Sequence, residues 1–146
     1  MIQRALNALK EAGHEALLVN DNVNVQWLTG FTGSFGAVLL SQNDPVFVTD
    51  SRYTVQAKEQ VKGLPVVSFG SPKTMNDVLS ELMAERSLKQ VGFEKSISYQ
   101  AWETYQEKIP GVEWVPVGPI LAGLRKIKSA DEIARIKKAC ELADAC

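Results

Sequence analysis

The sequence predicts a three-layer α/β/α domain built on a mixed sheet. Segments with helical apolar spacing alternate with short apolar strand segments along most of the chain. Two of those strands are joined by the tight turn Gln42-Asn43-Asp44-Pro45, a connection only antiparallel neighbours can use. The 146 residues, 45% of them hydrophobic, are enough for one domain to enclose its own core.

Ile2, Ala5, Leu6, Leu9 and Ala12 recur at three- and four-residue spacing, which predicts an opening helix ended by Gly13. Ala16 to Val19 reads as a buried strand that stops at the turn formers Asn20, Asp21 and Asn22. An irregular stretch to Gly36 follows, with a helical turn before its glycines, and then the hairpin strands Ala37 to Leu40 and Val46 to Val48. Ser51 to Val61 reads as a helix, with Tyr53, Ala57 and Val61 stacked at intervals of four. After a strand from Pro65 to Phe69, Ser71-Pro72 reads as the cap and first residue of a helix burying Met75, Val78, Leu79, Leu82 and Met83. Gln90 to Phe93 is a strand, Ser98 to Ile109 a helix around Trp102 and Tyr105, and Val112 to Val117 the last strand.

The end of the chain reads differently. Pro119 to Lys126, and the segment from Ser129 with Glu132 completing a capping box, predict two helices in tandem. Ile133, Ile136, Cys140 and Ala143 form a narrow apolar stripe, and the chain stops at Cys146 without a cap. This pattern reads as the N-terminal piece of a longer protein. There is no internal repeat and no low-complexity linker.

Composition excludes several function classes. Sixteen basic against seventeen acidic residues give a net charge of −1, with no basic block to neutralise phosphates, so nucleic-acid binding is not expected. The longest apolar runs fall far short of the roughly 20 residues that span a bilayer, and the amphipathic start is not a secretory leader. No membrane role and a cytoplasmic location are expected. One histidine, His14, with two cysteines near the C-terminus makes no metal site of ordinary spacing. Cys140 and Cys146, six apart on a helix, lie about 240° apart around the axis and cannot bridge each other.

Three features admit a functional reading beside a structural one. In Thr29-Gly30-Phe31-Thr32-Gly33-Ser34-Phe35-Gly36 the glycines recur every third residue, without the spacing of a phosphate loop. Read structurally, this loop needs positive φ at its glycines; read functionally, Phe31 and Phe35 are too apolar to leave in water unless something covers them. In Asp50-Ser51-Arg52-Tyr53, Arg52 sits in a first helical turn, where the dipole gives a cation no help. It either pairs with Asp50 or aims its planar fork at a carboxylate outside the domain. Trp27 is either core or ligand wall.

The segments "NVQWLTGFTGSFGAVLLS", "PVFVTDSRYTVQA" and "LRKIKSADEIARIKKACELAD" together resemble the N-terminal domain of the creatinase / prolidase / aminopeptidase P family, most nearly its bacterial Xaa-Pro dipeptidases and aminopeptidases. The resemblance covers essentially the whole chain. It implies a ribonuclease-H-like domain over residues 1–118, then linker helices over 119–146 leading to a pita-bread catalytic domain outside this sequence. That second domain would hold two divalent metals, Mn, Co or Zn, on two Asp, one His and two Glu. No such motif occurs here, and no catalytic residue is assigned.

By the same resemblance this chain narrows a catalytic cleft, commonly of a partner subunit in a homodimer, so that only short proline-containing peptides enter. Arg52, Phe31, Thr32, Ser34 and Trp27 are the implied substrate-facing residues. A second reading keeps the fold as a non-catalytic peptide-binding module. Creatine hydrolysis uses the same fold without metals. A nuclease reading fails, because the predicted strands are apolar, with Asp50 only at an edge.

Overall fold

A computed structural model describes residues 1–145. The elements are α1 (Ile2–Glu11), β1 (Ala16–Val19), α2 (Asn22–Thr29), β2 (Ala37–Ser41), β3 (Val46–Asp50), α3 (Thr54–Gln60) and β4 (Val66–Phe69). They continue as α4 (Met75–Glu85), β5 (Gln90–Glu94), α5 (Tyr99–Lys108), β6 (Glu113–Val117), α6 (Ile120–Lys126) and α7 (Ala130–Asp144).

One six-stranded sheet runs in the order β4-β3-β2-β1-β5-β6. β1, β2 and β3 are antiparallel neighbours, with Leu18 opposite Leu39 and Val38 opposite Phe47. The outer pairs β3–β4, β1–β5 and β5–β6 are parallel. The mixed sheet is therefore the expected one, with the antiparallel hairpin at its centre.

Side-chain alternation along these strands divides the core in two. Leu18, Leu39 and Val48 face α4 and α5, joining Leu79, Met83 and Tyr105. Leu17, Leu40 and Phe47 face the opposite layer, joining Leu6 and Leu9 of α1, Leu28 of α2, Ala57 of α3 and Leu121 of α6. Both sheet faces are covered, so the central strands β1 and β2 are apolar up to Ser41 instead of alternating apolar with polar. Each fully enclosed aliphatic side chain contributes about 1.5–3 kcal/mol by leaving water.

Three local expectations are corrected. The stretch between β1 and the glycines is not irregular: α2 occupies it, capped by the Asp21 side chain, which accepts from the N–H groups of Val23 and Asn24. Two asparagines and two β-branched valines hide this helix from propensity, while the cap and the burial of Val25 and Leu28 hold it. Ser51 to Val61 is not one helix, since Ser51–Tyr53 forms a 3₁₀ turn before α3 begins. Ser71-Pro72 does not open α4; that bond is cis, and Thr74 caps the helix through a capping box with Asp77. Both residues are good cap formers, and the reciprocal Thr74–Asp77 bonds decide between them.

The predicted capping box of Ser129 and Glu132 does start α7, but that helix buries none of its residues. Ile133 and Ile136 are about half exposed. Cys146, on which the bridging argument depended, lies outside the described residues.

Candidate functional site

The glycine loop joins α2 to β2 at the edge of the sheet where β3 ends. Thr29, the last residue of α2, starts its course: its hydroxyl donates to the Val25 carbonyl at 2.7 Å and accepts the Phe31 N–H at 3.1 Å. Gly30 takes φ +81°, closing the helix in the left-handed conformation. Gly33 and Gly36 do not share that conformation, contrary to the expectation of positive φ at all three. They are needed for space. A Cβ at Gly33 would press on the rings of Phe31 and Tyr53, and one at Gly36 would come within 2.5 Å of the Phe47 ring.

Phe31 is thus a core residue, only 1% exposed. Its ring centroid lies 4.8 Å from that of Phe47, and Tyr53 meets it edge-on at 5.7 Å. What covers Phe31 is the domain itself, which removes it as a direct ligand contact. Phe35 stays 37% exposed, and its carbonyl accepts a 2.6 Å hydrogen bond from buried Thr49.

Polar contacts fix the rest of the loop. The Thr32 N–H and hydroxyl donate to Gln60 Oε1 at 2.9 and 3.2 Å, and Gln56 Nε2 donates to the Thr32 hydroxyl at 3.1 Å. The hydroxyls of Ser34 and Tyr53 are 2.8 Å apart. Tyr53 is the junction that sequence reading missed. Its ring supports Phe31, its hydroxyl holds Ser34, and Arg52 lies over it with Cζ 5.6 Å from the centroid.

Arg52 is the exposed cation of the site, its side chain 72% accessible. Asp50 caps the 3₁₀ turn by accepting the Arg52 N–H and also grips the guanidinium through Nε at 3.0 Å and Nη2 at 2.6 Å. The Phe35 ring lies 5.9 Å from the guanidinium carbon. The hydrogen bond from Arg52 holds the Asp50 carboxyl below the usual carboxylate range. Of the sequence-predicted residues, the structure therefore brings together Phe31, Thr32, Ser34 and Arg52, with Tyr53 between them.

Trp27 sits in another groove, lined also by Val23, Arg125, Ser129 and Glu132. Its indole N–H is buried without a hydrogen bond of good geometry. It still lies near enough to the Glu132 carboxylate to favour the ionised form, behind the larger effects of the Ser129 backbone and side chain.

A further polar cluster lies where α2 begins. The Glu94 carboxylate accepts from the N–H groups of Asn20 and Asp21 at 2.9 and 2.8 Å and from Asn24 Nδ2 at 2.5 Å, and Arg125 Nη1 donates to Asn24 Oδ1 at 3.0 Å. Burial outweighs these donors and pushes the Glu94 carboxyl up. Nothing in the local sequence signals this cluster, because its members come from β5, the turn before α2, α2 itself and α6. Among the described residues no group of three His, Cys, Asp or Glu could hold a metal ion. The described residues do not fit a divalent-metal centre.

The sequence profile of the Creatinase/Prolidase N-terminal domain family matches residues 1–127. This chain belongs to that family. An uncharacterized peptidase of Bacillus subtilis, YqhT, is 35% identical over 144 residues, covering 98% of this chain and 40% of its own length. The solved Xaa-Pro dipeptidase from Bacillus anthracis superposes with a TM-score of 0.91 at 31% identity, covering 99% of this chain and 40% of the other. An Xaa-Pro aminopeptidase structure from Streptococcus pyogenes matches with a TM-score of 0.78 at 31% identity, over 84% of this chain and 93% of that one. The chain thus spans about 40% of the length of the curated relatives it matches. The loop and the Arg52 corner described above lie within the residues that the family profile covers.

Proposed function

We propose that this chain is the substrate-gating and dimerisation domain of a metal-dependent peptidase acting on X-Pro bonds. The observation that carries this reading is Arg52, an exposed guanidinium fixed at an outer corner of a domain that aligns in full with an Xaa-Pro dipeptidase. Residues 1–118 form the gating domain in this reading, and 119–146 lead towards the catalytic domain.

The guanidinium, clamped on one side by Asp50, offers its remaining N–H groups to a peptide carboxylate in two-point fashion. The loop of Thr32 and Ser34, tied to α3 and Tyr53, forms a rigid rim that limits what passes. Phe31 acts from below by holding that rim in place. Two divalent metals bound to residues outside this chain would supply the hydroxide that attacks the peptide bond. A cytoplasmic homodimer acting on short proline-containing peptides completes the proposal.

The test compares this chain with a longer protein that carries it, each assayed on an X-Pro dipeptide with Mn²⁺, Co²⁺ or Zn²⁺. The longer protein is expected to cleave, to lose activity to a chelator and to run as a dimer, while the chain alone is inactive. Turnover proportional to the concentration of the isolated chain would overturn the division of labour. Absence of X-Pro cleavage by the longer protein would instead favour the peptide-binding module.

A further inference from the structure

A cavity of about 430 Å³ opens beside the loop, between the start of β2 and the helices α4 and α5. That volume falls in the range of roughly 300–1,000 Å³ typical of small-ligand pockets. Its apolar wall comes from Ala37, Leu79 and Tyr105, and no charged side chain lines it.

Asn22, Asn76 and Gln100 all line the cavity, Asn22 and Gln100 exposed at its mouth and Asn76 half-buried, and none has a side-chain hydrogen bond among the described residues. Asn20 is different: its amide is already spent on the Tyr105 hydroxyl at 2.8 Å. A carboxamide carries donors and an acceptor on one planar group, which can pair with both the N–H and the C=O of a peptide backbone. Three unspent carboxamides around an apolar wall therefore match the backbone of a short, uncharged stretch of peptide.

The cavity also shares a wall with the Arg52 corner. Ser34 and Phe35 line it, Phe35 lies 5.9 Å from the Arg52 guanidinium carbon, and Ser34 holds the Tyr53 ring on which Arg52 rests. A chain end leaving the cavity past Phe35 meets a fixed cation whose Nη1 makes no hydrogen bond among the described residues.

We infer that this domain carries its own binding site for short peptides, with backbone amides held by Asn22, Asn76 and Gln100 and the free C-terminal carboxylate held by Arg52. The peptide class of the ligand rests on the peptidase reading; the unspent polar cavity does not.

The experiment titrates the isotope-labelled chain with the tripeptide Ala-Pro-Gly, free or C-terminally amidated, and follows amide resonances. A dissociation constant of about 1 mM is expected for the free peptide, with shifts confined to the cavity lining and residues 50–53. The amidated peptide should bind at least about fivefold more weakly. Gln100→Leu, on the exposed side of α5, and Arg52→Lys should each weaken binding of the free peptide by about tenfold while dispersed spectra confirm the fold. No shifts at millimolar peptide, or shifts that both variants leave unchanged, would overturn the site. So would equal affinity for the amidated peptide, which leaves Arg52 without a role. X-Pro cleavage by the longer protein, with no peptide bound by this chain, would remove the subsite and leave the peptidase reading standing.

Discussion

Arg52 is gripped by Asp50 through Nε and Nη2 while the side chain stays largely exposed and Asp50 is only 16% accessible. The two readings of Arg52, a local ion pair and an outward-facing fork, are therefore compatible. The carboxylate orients the guanidinium, and the remaining N–H groups face outward.

Arg52→Lys should leave the thermal midpoint of the domain nearly unchanged, because an exposed pair contributes little to folding. In the longer enzyme, loss of a two-point carboxylate contact should lower kcat/KM on an X-Pro dipeptide by about 10- to 150-fold. An unchanged kcat/KM beside a lowered midpoint would make Arg52 a purely structural residue.

Asp50 titrates below its ordinary range because Arg52 donates to it. A carboxyl whose folded pKa is depressed adds stability above its unfolded value of about 3.9, and loses it as pH falls through the folded value. Asp50→Asn should therefore flatten that acid limb of the stability curve. An acid limb identical to that of the unsubstituted chain would show the pair to be broken in solution.

Glu94 has the opposite sign. Burial raises its folded pKa, so the folded state binds that proton more tightly than the unfolded chain. Its contribution is full below about pH 4.3 and is lost as pH rises through the folded value. Glu94→Gln should remove this fall in stability as pH rises above about 4.3 and cost about 1 kcal/mol through weakened bonds to Asn20 and Asp21. Urea melts across that range decide it; a slope that survives the substitution belongs to another group.

Gly33→Ala should destabilise the domain by about 1–3 kcal/mol, since the new methyl group meets Phe31 and Tyr53 in a packed corner. Gly111→Ala is the control, because a Cβ there meets no atom within 4 Å. Equal melting temperatures for the two variants would mean that the loop moves freely around Phe31.

Hydrogen exchange should divide the chain. In a monomeric sample, Ala130–Asp144, whose helix buries no residue, is expected to exchange at least about tenfold faster than Val46–Asp50, where four of five residues are buried. Equal protection would mean that α7 is held by contacts made in solution.

What could be read from the sequence follows from short-range physics. The stripe from Ile2 to Ala12, the turn at Gln42 to Pro45, and the capping box of Ser129 and Glu132 each depend on residues a few positions apart, and each forms as expected. The helix α2 escaped because its support is tertiary: Val25 and Leu28 are buried by elements distant in the chain. The start of α4 escaped because two cap formers compete within four residues, and only the reciprocal bonds of Thr74 and Asp77 separate them.

The sequence alone determined the family, the α/β/α class and the order of most of the elements. Periodicity, turns and motifs are properties of neighbouring residues, and they survive without a fold. Only the tertiary structure decided that Phe31 is core, that Gly33 and Gly36 are spacers for aromatic rings, and that Tyr53 joins Ser34 to Arg52. It also decided that Asn22, Asn76 and Gln100 share one cavity. These residues stand 54 and 24 positions apart in turn, and only a sheet ordered β4-β3-β2-β1-β5-β6, with α4 and α5 on one face, carries them to the same place.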